Sequence, residues 1–147
     1  MGVERKIGND VRLLHNTIGM FCDQQRQSRR DDTPPMQGRT LCFLCFHMDQ
    51  EVCQRDIEQE FQISRATATK MLQSMEKKRL ITREQVGHDA RLKRIVITEL
   101  GCACHNKIRK DFVKLEEIMT RGMTETEADE MSRLLRLGRK NLEEVLK

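Results

Sequence analysis

The side chains of this protein best suited to covalent or metal chemistry are its cysteines and histidines, and their spacing argues against both uses. Cys42-x-x-Cys45 is followed by His47, and Cys102-x-Cys104 by His105, so metal-type ligands do cluster twice. A structural zinc site needs four ligands closing a tetrahedron. Positions two apart on a helix point to different faces, so neither cluster closes such a site within one helix. No metal is expected. The six cysteines, Cys22, Cys42, Cys45, Cys53, Cys102 and Cys104, also lack disulfide-scaffold spacing, which points to a reducing cytoplasm. No Gly-rich phosphate loop or nucleophile–base arrangement rises above chance. An enzyme is therefore disfavoured, and no cofactor is expected.

A different chemistry is carried by charge. The net charge is +4, and between Gln54 and Thr98 there are ten basic residues against six acidic ones. The rest of the chain is balanced at 17 of each, so the whole excess sits in that stretch. A localised positive excess suits a polyanion, because neutralising phosphates releases counterions. The plain alternative is a solvated face, and motif rather than charge must decide between them.

The elements around that stretch follow from periodicity. Ile7, Val11, Leu14, Ile18, Phe21 and Cys22 form one stripe of an amphipathic helix running from about Ile7 to Arg29, which Pro34-Pro35 terminates. A helix near Met36 to Met48 is apolar on more than one side and is expected to be central and buried. Gln54 to Phe61 is a short helix burying Ile57 and Phe61, Gln62-Ile63 is a turn, and Ser64 is a good N-cap for the next helix. In that helix Ala68, Met71, Leu72 and Met75 face inward, while Ala66, Thr69, Lys70 and Gln73 face outward. Ile81 to Val86 and Arg94 to Thr98 read as strands joined by a turn over Gly87 to Ala90. Thr98 then caps a long helix to about Thr120, and Thr124 with Glu127 makes a capping box for the last helix. The expected class is mainly α with a small β wing, a winged helix-turn-helix flanked by N- and C-terminal helices. No signal peptide or myristoylation motif opens the chain. The longest apolar run, Leu41 to Phe46, is far too short to span a bilayer, so no membrane role is expected.

The central residues resemble the MarR family of multiple-antibiotic-resistance regulators. The resemblance runs through Gln54, Asp56-Ile57, Ile63-Ser64-Arg65-Ala66-Thr67 and Met75-Glu76-Lys77-Lys78 to the hairpin. There Asp89-Ala90-Arg91 matches the family's Asp-x-Arg wing motif, and Ile97-Thr98-Glu99-Leu100-Gly101 matches its hydrophobic-Thr-x-x-Gly close. The chain departs from the pattern at two helix ends. Arg79 stands where relatives often have Gly, so that helix is expected to end less comfortably. Cys53 stands where they often have Thr or Ser, so a loosened helix start is expected there.

The resemblance implies one MarR-like domain over 1–147, with dimerisation helices at 1–32 and 99–147 and a DNA-binding lobe at 36–98. The implied function is a homodimeric transcription regulator, most often a repressor, reading double-stranded DNA at a pseudo-palindromic operator and released by a small molecule or stress. Ser64 and Arg65 at the helix start would meet phosphate, with Thr67, Thr69, Lys70 and Gln73 as candidates for base or phosphate contact. On the wing the candidates are Arg83, Asp89, Arg91 and Lys93. Arg91 would suit a narrow minor groove, and Asp89 could hold its guanidinium. His15, Phe43, His47 and Phe112 are candidates for an effector pocket, against plain core packing. Some relatives sense oxidants through a cysteine in the first helix, where Cys22 lies, and Cys102 and Cys104 are second candidates. Inert core cysteine is the competing reading, because reactivity needs a lowered thiol pKa. The rival functions are a thiol-based redox sensor of the same fold, or a winged-helix interaction module that does not read DNA.

Overall fold

The computed structural model describes residues 6–146, excepting the side chain of residue 90, so the first five positions of the expected N-terminal dimerisation segment and the last of the C-terminal one lie outside the described residues. The described chain holds helices α1 (Ile7–Ser28), α2 (Pro35–Phe46), α3 (Gln54–Phe61) and α4 (Arg65–Lys77), then strands β1 (Ile81–Val86) and β2 (Asp89–Ile97), then α5 (Glu99–Met119) and α6 (Glu125–Val145). Its contacts divide it into two compact units, Met1–Asp111 and Phe112–Lys147. Among the described residues no helix is long and apolar enough to cross a membrane.

The core of the first unit is built from Leu41 and Leu44 of α2, Val52, Ile57 of α3, Met71, Leu72 and Met75 of α4, and Leu80, Ile81, Ile95 and Ile97 at the wing. Proline opens α2 at its first position, where its missing N–H costs nothing. The helix is buried through Gln37, Gly38, Thr40, Leu41 and Leu44, but it ends two residues early and leaves Phe46 exposed. Two polar side chains tie α2 to α4. Gln37 Nε2 donates to Ser74 Oγ at 3.1 Å while its Oε1 accepts from Lys78 Nζ at 3.1 Å, and Thr40 Oγ1 lies 3.5 Å from Met71 Sδ.

Both expected weak helix ends are sound. At Cys53 the Asp56 carboxylate reaches back to accept the Cys53 backbone N–H at 2.8 Å, so the third residue of α3 supplies the cap that the thiol lacks. At the end of α4, Arg79 adopts the left-handed conformation at φ 62 although it is not glycine. Leu80 N donates to Met75 O at 3.0 Å and Arg79 N to Glu76 O at 2.9 Å, the paired bonds of a Schellman cap. The local cost of a left-handed arginine is met by packing Leu80 into the core.

The wing is an antiparallel pair running from Ile81 opposite Ile97 to Gln85 opposite Lys93, then from Val86 opposite Asp89. The turn is therefore only Gly87-His88, with Gly87 at φ 57, and β2 begins at Asp89 rather than Arg94. The register jumps between Gln85 and Val86, so Ala90, Arg91 and Leu92 form a bulge at the tip. The expected four-residue turn mistook that bulge for loop. A third backbone segment fastens the wing to the helices: Ile95 N donates to Val52 O at 2.6 Å and Cys53 bridges to Arg94.

In the second unit, Thr124 and Glu127 form the expected box, at 3.1 Å from Glu127 N to Thr124 Oγ1 and 2.9 Å from Thr124 N to Glu127 Oε2. Neither α6 nor, in the first unit, α1 contains a buried residue.

Candidate nucleic-acid interface

The outward face of α4 is set by what its inward face buries. With Ala68, Met71, Leu72 and Met75 in the core, Arg65, Ala66, Thr67, Lys70 and Gln73 are left exposed. Ser64 Oγ accepts the Thr67 backbone N–H at 3.1 Å and lies 2.9 Å from Thr67 Oγ1, so cap and first turn form one polar unit. The amides of Arg65 and Ala66 have no carbonyl four residues back within the helix, and together with the helix dipole they favour an anion. The exposed side chains of this face carry Arg65 and Lys70 and no acid.

Thr69 differs from its neighbours. It is half-buried, and its Oγ1 accepts a bond of 2.9 Å from Gln54 Nε2, the amide at the start of α3. The same Nε2 lies 3.4 Å from the Arg65 carbonyl. Sequence reasoning gave Gln54 no site role. Nothing in local periodicity reveals a partner 15 residues away on another helix.

The wing residues divide into two kinds. Arg91 and Lys93 are exposed, Arg91 in the bulge. Asp89 Oδ1 accepts from the Arg91 backbone N–H at 2.9 Å, so the carboxylate shapes the bulge backbone where the guanidinium bond was expected. Arg83, also expected on DNA, is half-buried and forms an ion pair with Glu76, joining β1 to α4. Arg94 binds Glu84 directly across the strands through Nε at 2.9 Å and Nη2 at 2.6 Å.

Of the four residues expected to line an effector pocket, Phe43 and His47 are brought together. Phe43 and His47 stack at a ring distance of 4.1 Å, and His47 Nδ1 bonds the Phe43 carbonyl at 2.8 Å. Both line an open cavity of about 350 Å³ whose other walls include Glu51, Asp56 and Glu60. His15 is exposed on α1 and does not line that cavity, while Phe112 belongs to the second unit.

Among the cysteines, burial pushes the Cys22 thiol up, Asp23 adds to this, and the opposing pull of Arg39 and Arg26 is smaller. Cys102 packs against the core, and Cys104 lies 3.8 Å from Thr33 Oγ1. The thiol of Cys45 is pushed up to about 11, by burial first and then by the adjacent Cys102. A raised pKa withholds the thiolate on which oxidant sensing depends; Cys45 packs against the core, whereas Cys22 is half-buried on α1.

Residues 31–92 match the model of the MarR family. The Staphylococcus aureus protein MepR, solved as a DNA complex, is 25% identical, with a TM-score of 0.81 over 95% of this chain and 99% of that one. MepR in its DNA-binding conformation aligns at a TM-score of 0.83 and 25% identity, over 94% and 99% of the two chains. PefR, a heme sensor protein solved with heme and carbon monoxide, aligns at 0.64 and 25% identity, over 90% and 92%. No curated protein sequence matches the chain significantly.

Proposed function

We propose, for a chain that belongs to the MarR family of winged-helix DNA-binding transcription regulators, a homodimeric repressor that holds a two-fold symmetric operator and leaves it when a small molecule or stress signal arrives. The observation that carries the reading is the capped outer face of α4, which exposes Arg65 and Lys70, together with the exposed Arg91 in the wing bulge. In this reading α4 enters the major groove, Ser64, Arg65 and Lys70 meet phosphate, and Thr67, Thr69 and Gln73 face the base edges. Arg91 and Lys93 follow the flanking minor groove. Arg83 and Asp89 act one step back, by holding β1 against α4 and by shaping the bulge.

Dimerisation is read from what the single chain leaves uncovered. Ile7, Leu13 and Met20 of α1 are 62%, 55% and 72% exposed, and Leu142 and Val145 of α6 are 68% and 82% exposed. Apolar surface on this scale calls for a partner, and a second copy would place two reading heads about one helical turn of DNA apart. For the effector, the cavity bounded by Phe43 and His47 is within the size range of small-molecule sites.

The test is a gel shift of the protein against its own upstream DNA and against a scrambled duplex of equal length, with and without reductant, zinc and aromatic acids. The reading expects a discrete, salt-sensitive complex on the upstream duplex at dimer stoichiometry. Equal binding to both duplexes would leave a winged-helix protein without sequence recognition.

A further inference from the structure

Threonines within helices commonly satisfy their hydroxyl by donating to the carbonyl four residues back. This chain does so repeatedly: Thr17 donates to Leu13 O at 3.0 Å, and Thr40 to Met36 O at 2.8 Å. Thr69 does not follow them. Its hydroxyl oxygen accepts from Gln54 Nε2, and the carbonyl it would otherwise use, that of Arg65, is approached by the same amide nitrogen. A carbonyl can only accept, so the Arg65 carbonyl favours the NH₂ end of the Gln54 amide facing it, and with it a bond directed from Gln54 to Thr69.

We propose that Gln54 is a positioning residue that sets the hydrogen-bond polarity of Thr69, so that Thr69 presents its O–H outward as a donor and selects a base edge carrying an acceptor. The inference rests on the reading of α4 as the major-groove helix. An incoming bond from Gln54 occupies one of the two lone pairs of the hydroxyl and leaves its proton without an acceptor among the described residues. A base acceptor satisfies that proton, whereas an amino donor on the remaining lone pair would leave it unpaired. In the major groove that acceptor is guanine N7 or O6, adenine N7 or thymine O4, and the amino groups of adenine and cytosine are disfavoured. The Gln54 NH₂ group is spent on Thr69 and Arg65, so its donors are not available to DNA. Selectivity at one position of the half-site thus originates on α3, one helix behind the reading face.

The experiment selects binding sites for the wild-type protein from a randomised duplex pool, then compares Gln54→Leu, Gln54→Glu, Thr69→Val and the double variant Gln54→Leu/Thr69→Val on the selected duplex and its single-base changes. Thermal melting checks that each variant is folded. Gln54→Leu is expected to lose selectivity, on the order of tenfold, at one base pair or two adjacent ones. Its salt slope and its affinity for random duplex should stay unchanged, and in the Thr69→Val background it should cost no further selectivity. Gln54→Glu reverses the pair, because a carboxylate accepts the Thr69 proton and turns its lone pairs outward. The preferred base at that position should then move to one offering an amino donor. Equal loss from Gln54→Leu in both backgrounds, or loss spread over every base pair, would show a merely structural role and overturn the proposal. Should Gln54→Leu unfold, the Gln54→Glu arm decides alone, and an unmoved base preference refutes it. A wild-type protein that enriches no sequence overturns the DNA-reading assignment and this proposal with it, whereas an enriched site indifferent to Gln54 overturns only the latter.

Discussion

Gly101 lies so close to Leu80 that a Cβ at 101 would stand 2.3 Å from the Leu80 carbonyl oxygen and 2.7 Å from Ile97 Cγ1. Thr98 enforces this approach. Its N–H donates to Leu80 O at 3.0 Å, its Oγ1 accepts from Gly101 N at 3.0 Å, and the hydroxyl lies 2.7 Å and 3.1 Å from the Arg79 and Leu80 carbonyls. The Thr-x-x-Gly sequence is thus a clamp between the start of α5 and the junction of α4 with β1. Gly101→Ala must push backbone aside, and a loss of about 1–3 kcal/mol is expected, by analogy with overpacked cores. Urea unfolding would measure it; a change below about 0.5 kcal/mol would mean that the junction yields easily.

Arg79 is the converse case, a side chain where the backbone prefers none. Its φ of 62 carries the left-handed penalty, while its N–H and carbonyl bonds are made by main chain and by Thr98. Arg79→Gly keeps those bonds and removes the strain, at the cost of a freer unfolded chain. A gain of about 1 kcal/mol is expected, read as a rise in Tm. A lower Tm would show that the arginine side chain contributes contacts outweighing the strain.

These two positions also show what a sequence reading could and could not reach. Element order, the buried stripe of α4 and the Thr124–Glu127 box depend on spacings of three and four residues, and such local patterns survive intact in the fold. The start of α3 is firmer than Cys53 alone implies, because its cap comes from Asp56, three residues on. The start of β2 was misplaced because the bulge at Ala90 to Leu92 interrupts strand alternation. Arg83 is indistinguishable in sequence from its basic neighbours, because its partner Glu76 lies on the preceding helix. The face that α4 presents follows from helical period, but the Gln54–Thr69 bond is tertiary and leaves no periodic trace.

The two kinds of arginine and lysine on the lobe should separate under salt titration. Lys70 and Arg91 are exposed, so alanine there removes a charge free to meet phosphate and should lower the salt slope by about 0.9 each. Arg91→Ala should also flatten A·T preference in the flanks. Arg83→Ala removes the partner of Glu76 and should cost up to about 1 kcal/mol of stability, since the pair is partly solvated, with the salt slope unchanged. A reduced slope for Arg83→Ala would place its guanidinium on DNA instead.

His105 makes the acid limb of stability testable. It is 8% exposed and its Nδ1 has no hydrogen-bond partner among the described residues. Burial, and then the nearby Arg109, lower its pKa from the ordinary 6.5. The folded chain therefore resists the proton that the unfolded chain accepts below about 6.5. As pH falls through that value the unfolded state binds more proton, and stability declines until the lower folded pKa is passed. The slope from this one group cannot exceed about 1.4 kcal/mol per pH unit. His105→Leu keeps the volume and removes the titration, so its loss of stability between pH 7 and pH 5 should be smaller than that of the wild type. Parallel urea unfolding series at those pH values give the comparison. Identical declines in the two proteins would mean that the imidazole is protonated as readily in the folded state as in the unfolded one.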